Sequence, residues 1–545
     1  MTGRLSAGNK TNDMGERYIA SVDLGTSKIA VCVASVQGKD TQVIYYKETP
    51  SAGVQKSAVT APGRTTEMVR SAITEAQQAL KMKIKQVIVG LPRWCVKQET
   101  ATASVSREDS ESLIGKEEIR QLKNNAVKSY PMDDSKKHTC YGAIAQSFST
   151  EDSIEQPESE IIDMPAETLE GNFTVFIGSK RHSMNIDKIF DGIPGITARK
   201  CFIPGITAKA VLTGEQMKKG VALFDLGAGV SSVTIFKNGI MKYFGAIPFG
   251  GNAITDDIES ECNVSHSLAE NIKKAYGACM PDDLASFGGK TLLVDGEDGK
   301  PFQVTVKYIS EIVTARMKEI VEALLYKIEE SGLSSEDILK CGIVVTGGGA
   351  ELINCTNYIK ELSGYTVKKG VPAKKDFSCE GWPEAGEASA ATSMGMILYG
   401  KDAKSLNCIQ ETVTISTIDT VKAVRETEKE EKKPVAEREE KPATVQERKP
   451  EPPAEPVYST ERVKDPETKT ASEPERRLAR VPETTIEPEP ENDPEPVWTP
   501  ETGNSDANDR ETKAKPENEK GRGISWKKFV DHFKNAYKEM NDEEV

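Results

Sequence analysis

No run of apolar residues in this chain approaches the roughly 18 that a membrane-crossing helix needs, so no transmembrane span is expected. Met1 to Gly15 is polar and has no apolar core of the signal-peptide kind. Basic residues are not in excess: 71 Lys and Arg stand against 85 Asp and Glu, for a net charge of −14. That balance argues against a nucleic-acid partner. The ten cysteines are scattered and none forms a Cys-x-x-Cys pair, so reduced, buried thiols in a cytoplasmic protein are expected. Hydrophobic residues make up only 37% of the chain and charged ones 29%, a poor ratio for a fully folded protein.

The shortage is local. Residues up to about 405 have ordinary globular composition, apart from a polar lead-in at 1–16 that is expected to be disordered. Over 406–520, Glu, Lys, Pro and Thr dominate, as in Glu428-Lys-Glu-Glu-Lys-Lys-Pro. Such a segment has too little apolar surface to offset its ordering entropy, and a disordered linker is expected. Apolar residues return at 521–540. Trp526, Phe529, Val530, Phe533 and Tyr537 fall on one face of a helix, with Lys527, Lys528, Lys534 and Lys538 beside or opposite it. An isolated helix this short is marginal in water. It would form when the aromatic face enters a membrane interface or a partner groove. The lysines favour anionic lipid, although the closing Asp542-Glu-Glu-Val works against them.

The globular part is organised around Val221-Ala-Leu-Phe-Asp225-Leu-Gly227-Ala-Gly229-Val-Ser231-Ser232-Val-Thr-Ile-Phe. It reads as an apolar strand, a glycine turn and a second strand, and Lys237-Asn238-Gly239 is a hairpin turn into a third. Glycines let the turn bring its N–H groups close to an anion. A carboxylate beside such a cradle is what magnesium–nucleotide binding needs. The pattern recurs at Tyr18-Ile-Ala-Ser-Val-Asp23-Leu-Gly25-Thr26-Ser27-Lys28, again between two strands. A third glycine cluster, Thr346-Gly347-Gly348-Gly349, closes another apolar strand. One Asp-x-Gly is usually a plain turn. Two copies and the Thr-Gly-Gly-Gly, in this order, point to a duplicated α/β fold with two lobes facing one nucleotide.

With these motifs the chain resembles the actin-fold ATPases: actin, the MreB family, the heat-shock chaperones and the sugar kinases. Within them it resembles the FtsA family of bacterial cell-division proteins. The narrower likeness rests on Pro248-Phe-Gly250-Gly251-Asn252-Ala-Ile-Thr255-Asp256-Asp257-Ile258, on Ala269-Glu270-Asn-Ile272-Lys273-Lys-Ala-Tyr-Gly277, and on Ala391-Thr-Ser-Met-Gly395-Met-Ile-Leu-Tyr-Gly400. Between Arg93 and Gly192 no glycine phosphate loop occurs, and alternating strands with a helix suggest an inserted small α+β domain. In the family an extra subdomain, 1C, occupies this place. The implied layout is 1A at 17–92, 1C at 93–192, 2A at 193–252, 2B at 253–332, 2A again at 333–375 and 1A again at 376–405.

The resemblance also implies roles. Asp23 and Asp225 would face magnesium. Gly25, Thr26, Ser27 and Lys28 would hold the phosphates of ATP from one side, with Gly227 and Gly229 on the other. Gly347, Gly348 and Gly349 would lie against the adenosine, opposite Glu270 and Lys273. Spacing alone makes Glu270 and Lys273 no more than neighbours on a helix face, worth tenths of a kcal/mol. Relatives of this kind self-associate into filaments on the cytoplasmic face of the inner membrane at mid-cell. They bind the FtsZ C-terminal tail through subdomain 2B and recruit later division proteins. The helix over Pro204-Gly-Ile-Thr207-Ala-Lys209 lacks the Gln or Glu that actin and MreB use to orient water, so slow turnover is expected. Rival readings are a sugar-type kinase, a chaperone and a PilM-like pilus-assembly ATPase. The first has no use for the terminal helix, the second would need a β-rich domain after Gly400, and the third generally lacks such a tail.

Overall fold

The computed structural model of the chain describes residues 16–296, 300–334 and 340–410. The terminal helix with Trp526, Lys527, Lys528, Phe529, Val530, Phe533 and Tyr537, and all but the first residues of the expected linker, lie outside them.

Two five-stranded sheets carry the fold, and their strand order is the same. In the first, Arg17–Leu24, Lys28–Gln37 and Asp40–Pro50 form an antiparallel meander. Gln86–Leu91 and then Thr197–Phe202 add in parallel on the other side of Arg17–Leu24. In the second, Val221–Leu226, Ser231–Lys237 and Ile240–Ile247 form the meander, and Ile343–Thr346 and Val367–Lys369 add in parallel beside Val221–Leu226. Each sheet is followed by a helix, Ile203–Val211 and Ala391–Asp402. The near-continuous apolar runs of the central strands follow from burial on both faces. All six residues of Val221–Leu226 are buried. Asn238 and Gly239, at φ 55° and 78°, make the expected tight hairpin.

The two terminal helices pack against each other and join the lobes. Thr207 and Thr392 hydroxyls meet at 3.3 Å between them. Gly395 makes the approach possible, because a Cβ there would run into the Ile206 carbonyl.

The repeats differ in what they insert. In the first lobe a three-stranded antiparallel sheet, in the order Lys97–Ser106, Thr168–Ser179, His138–Ser149, carries the helix Lys116–Ser129. It has its own core around Leu122, Phe148, Leu169 and Phe173. In the second lobe the helices Gly251–Cys262, His266–Tyr276 and Val306–Glu330 and the hairpin Thr291–Asp295/Pro301–Thr305 lie between the third and fourth strands.

Three boundaries move. The insert ends at Ser179, not at 192: helix Lys180–Asp191 buries Ile186, Ile189 and Phe190 in the first-lobe core. Thr197–Phe202, assigned from sequence to the second lobe, is the outer parallel strand of the first sheet. A parallel strand arrives after a long crossover, so its neighbours in sequence do not reveal its sheet. The folded body also extends past 405. Leu406, Cys408 and Ile409 are buried in the first-lobe core, and Ile409–Gln410 pairs with Lys83–Ile84. The polar composition beyond them hid this short return strand.

The insert also touches the other lobe. The Gln98 amide donates to the Lys242 carbonyl at 3.1 Å and accepts from the Phe244 N–H at 3.0 Å, while Gln146 donates to the Met241 carbonyl at 3.0 Å.

Gly395→Ala is expected to destabilise the protein. Overpacking costs about 1–3 kcal/mol, against a helix-propensity gain of up to about 1 kcal/mol. Thermal unfolding reads the difference, and an unchanged melting temperature would mean that the crossed helices re-space freely.

Candidate functional site

In open α/β sheets, ligands collect at the carboxyl ends of the parallel strands. Here four such ends face one cavity of about 840 Å³, a size that suits a nucleotide-scale ligand. Asp23 sits level with Gly90 on the neighbouring parallel strand, continuing the register in which Val22 faces Val89. In the second lobe Asp225 pairs with Thr346, just before the glycine run.

The two Asp-x-Gly turns are the same structure. Gly25 N–H donates to the Lys28 carbonyl at 3.0 Å, and Gly227 N–H donates to the Val230 carbonyl at 3.1 Å. A Cβ on Gly25 or Gly227 would meet that carbonyl at 2.7 or 2.6 Å, so each turn closes only around glycine. The turns touch across the cleft: a Cβ on Gly229 would lie 2.7 Å from the Thr26 hydroxyl. Gly347 adopts φ 85°, and a side chain there would strike the Leu226 carbonyl and Asp225. Left-handed backbone and crowding together require glycine at this position. Gly348 and Gly349 line the same cavity.

Glu270 and Lys273 are more than surface neighbours. Lys273 Nζ lies 2.6 Å from Glu270 and 2.6 Å from the Thr255 hydroxyl, and 2.9 Å from the Gly251 carbonyl. Thr255 in turn donates to Glu270 at 2.6 Å, and Lys274 reaches the other Glu270 oxygen at 3.3 Å. Burial pushes the Glu270 carboxyl up, but the hydrogen bonds from Lys273 and Thr255 and the two lysine charges outweigh it, holding the carboxyl below its ordinary value. Burial holds the Lys273 ammonium below its ordinary value against the pull of Glu270.

Every described residue with an expected role lines this cavity: Asp23, Gly25, Thr26, Ser27, Lys28, Asp225, Gly227, Gly229, Glu270, Lys273, Gly347, Gly348 and Gly349. Lys28 also pairs with Glu48, which accepts from the Tyr46 hydroxyl at 2.6 Å. Burial raises the Asp23 carboxyl. The charges of Arg93 and Lys28 oppose the rise, and those of Asp225 and Glu48 add to it.

Sequence reasoning missed Arg93. Its guanidinium bonds to Asp225 from the opposite lobe, with both side chains largely buried. The signal was available: Arg93 follows Gly90-Leu-Pro92 at the end of a buried parallel strand, beside the strand that ends in Asp23.

Two sheets of identical order, joined by crossed helices and presenting matching glycine turns to one cleft, define an actin-like fold. Residues 222–395 match the family model described as "Cell division protein FtsA". Cell division protein FtsA of Neisseria meningitidis serogroup B is 26% identical over 363 residues, covering 66% of this chain and 84% of that protein. FtsA of Pseudomonas aeruginosa is 26% identical over 71% of this chain and 90% of that protein. FtsA of Borreliella burgdorferi is 26% identical over 73% and 94%. Over these spans the chain is similar to FtsA cell division proteins. Among solved structures, the PilM–PilN type IV pilus biogenesis complex superposes with a TM-score of 0.49 at 14% identity, covering 70% of this chain and 98% of that one. MreB5 of Spiroplasma citri bound to ADP superposes with a TM-score of 0.43 at 13% identity, covering 71% and 97%.

The Glu270 network fixes a pH dependence. A carboxyl held below its unfolded value, about 4.3, contributes stability that is complete above that value. The contribution is lost as pH falls through the folded value. On acidification below about pH 4.3, the melting temperature of the parent chain should therefore fall more steeply than that of Glu270→Gln. Parallel curves would show that the network does not hold the carboxylate.

Proposed function

We propose that the cleft binds ATP with magnesium and that the protein is an actin-like membrane adaptor of cell division. The observation that carries the nucleotide reading is the pair of glycine turns with one hydrogen-bond pattern, each preceded by an aspartate, that approach each other across one cavity. The donor set fits the metal: two carboxylates, one of them buried against a cation, in a cleft whose turns close only around Gly25 and Gly227. Asp23 and Asp225 would hold magnesium, a hard cation that takes oxygen ligands and keeps several waters. Magnesium would supply charge neutralisation between the phosphates. The backbone of Gly25, Thr26, Ser27 and Lys28 would hold phosphate oxygens from the first lobe, and Gly227 and Gly229 from the second. Gly347, Gly348 and Gly349 would admit the adenosine to close contact. Glu270 and Lys273, locked together through Thr255, form the wall opposite.

The family likeness supports the rest of the proposal. The protein would lie on the cytoplasmic face of the cell membrane at the division site, held peripherally by the segment 521–540. It would bind the FtsZ C-terminal tail through 253–332, associate with copies of itself, and recruit later division proteins. One such helix holds weakly, and a filament presenting many holds by avidity, so nucleotide-linked assembly would control attachment. Helix Ile203–Val211 supplies no acidic or amide side chain to orient water, and its Thr207 is tied to Thr392. Turnover is therefore expected to be slow, with nucleotide acting as a switch.

Liposome co-sedimentation with and without ATP, using anionic vesicles, compares the intact chain with one truncated after Lys520. Pelleting that needs both ATP and residues beyond 520 is the expected outcome. Undiminished pelleting of the truncated chain, or an intact chain that stays in the supernatant throughout, would overturn the adaptor reading. Rapid steady-state ATP hydrolysis without a partner would overturn the switch.

A further inference from the structure

The strongest unassigned feature of the cleft is Arg93. Its backbone is pinned: the N–H groups of Arg93 and Trp94 both donate to the Ser57 hydroxyl, at 3.0 and 3.3 Å, and the Trp94 ring is buried. Its side chain is not comparably satisfied. A guanidinium carries five donors. One Nη bonds to Asp225, and the buried Nε has no hydrogen-bond partner among the described residues. The other Nη lies 3.3 Å from where a Cβ on Gly227 would stand, so the group is already inside the second glycine turn.

The other basic side chains lining the cavity lie against glutamates: Lys28 against Glu48, Lys273 and Lys274 against Glu270, and the His266 ring against Glu259. Arg93 alone among these five is paired to one of the two carboxylates that face the metal position. A planar fork with spare donors is suited to phosphate oxygens, which it can grip through two parallel bonds.

We propose that Arg93 is the resting counter-ion of the metal position and the residue that recognises the terminal phosphate. In the cleft without ligand its guanidinium neutralises Asp225. With magnesium and a nucleoside triphosphate bound, Asp225 would hold the metal, and the Arg93 side chain would turn about its fixed backbone onto the last phosphate. This inference rests on the nucleotide reading of the cleft. It adds two things: a preference for triphosphate over diphosphate, and the expectation that magnesium alone does not occupy the cleft. Free metal would have to displace a covalently tethered cation with nothing offered in return.

Two measurements on the full chain test this, with Arg93→Met and Arg93→Lys beside the parent. Equilibrium binding of ATP and of ADP, each with magnesium, gives the triphosphate preference. Losing a charged bond to phosphate should shrink the ATP-to-ADP ratio by on the order of tenfold or more in Arg93→Met, with Arg93→Lys between it and the parent. Thermal unfolding with magnesium and no nucleotide gives the second readout. Magnesium alone should raise the melting temperature of Arg93→Met and leave that of the parent unchanged, an effect that a merely structural arginine would not produce. An unchanged ATP-to-ADP ratio in Arg93→Met, in a parent that binds nucleotide, would overturn the role of Arg93 alone. A parent that binds neither nucleotide would overturn the reading of the cleft as well. If Arg93→Met does not fold, Arg93→Lys keeps the charge at Asp225, and an ATP-to-ADP ratio equal to that of the parent would still overturn the proposal.

Discussion

Two carboxylates of like sign face one cleft from opposite lobes, and a guanidinium compensates them. Asp23 and Asp225 each end the central strand of a sheet, so the fold that buries those strands also drives the charges together. Like charges in a shrinking dielectric repel more strongly the closer they come. Closure of the lobes in the absence of ligand therefore needs a cation, and the strand ending at Leu91 delivers Arg93 to supply it.

Duplication explains the economy of the site. The same strand order, run twice, places each aspartate at the same point of its sheet with a glycine turn directly after it. Where the repeats diverge, they do so away from the strand ends: one inserts a small sheet between its fourth and fifth strands, the other a helical segment between its third and fourth. The chemistry is kept at positions that the sheet fixes, and the variable material is carried by the connections, where loops tolerate it.

Much of this was legible in the sequence because backbone constraints write themselves into residue type. Gly25, Gly227 and Gly347 stand where a side chain would collide, and a buried strand such as Val221–Leu226 reads as an apolar run whatever surrounds it. Glu270 and Lys273 were legible only as a pair on one helix face. That Thr255 locks them is a tertiary fact, since it comes from the preceding helix. Parallel strands were the blind spot. Thr197–Phe202 alternates like any exposed edge, and nothing local says which sheet will take it. Arg93 was missed for the same reason: its importance comes from the strand beside it in space. The return strand at Ile409 was hidden because the residues after it are so polar.

The outer strands of the two meanders are each partly covered, by different means. On the first, Ser378 bridges beside Gln42: the Val43 N–H donates to the Ser378 carbonyl and the Ser378 N–H to the Thr41 carbonyl, each at 2.8 Å. On the second, the Gln98 amide imitates a passing peptide, giving one bond to Lys242 and taking one from Phe244. An open edge is a template on which any extended chain can add itself. Copies of the molecule that prolonged either meander over these stretches would first have to displace those bonds. That cost turns the advantage from an indiscriminate ladder of peptide groups toward contacts made by side chains, which can be selective.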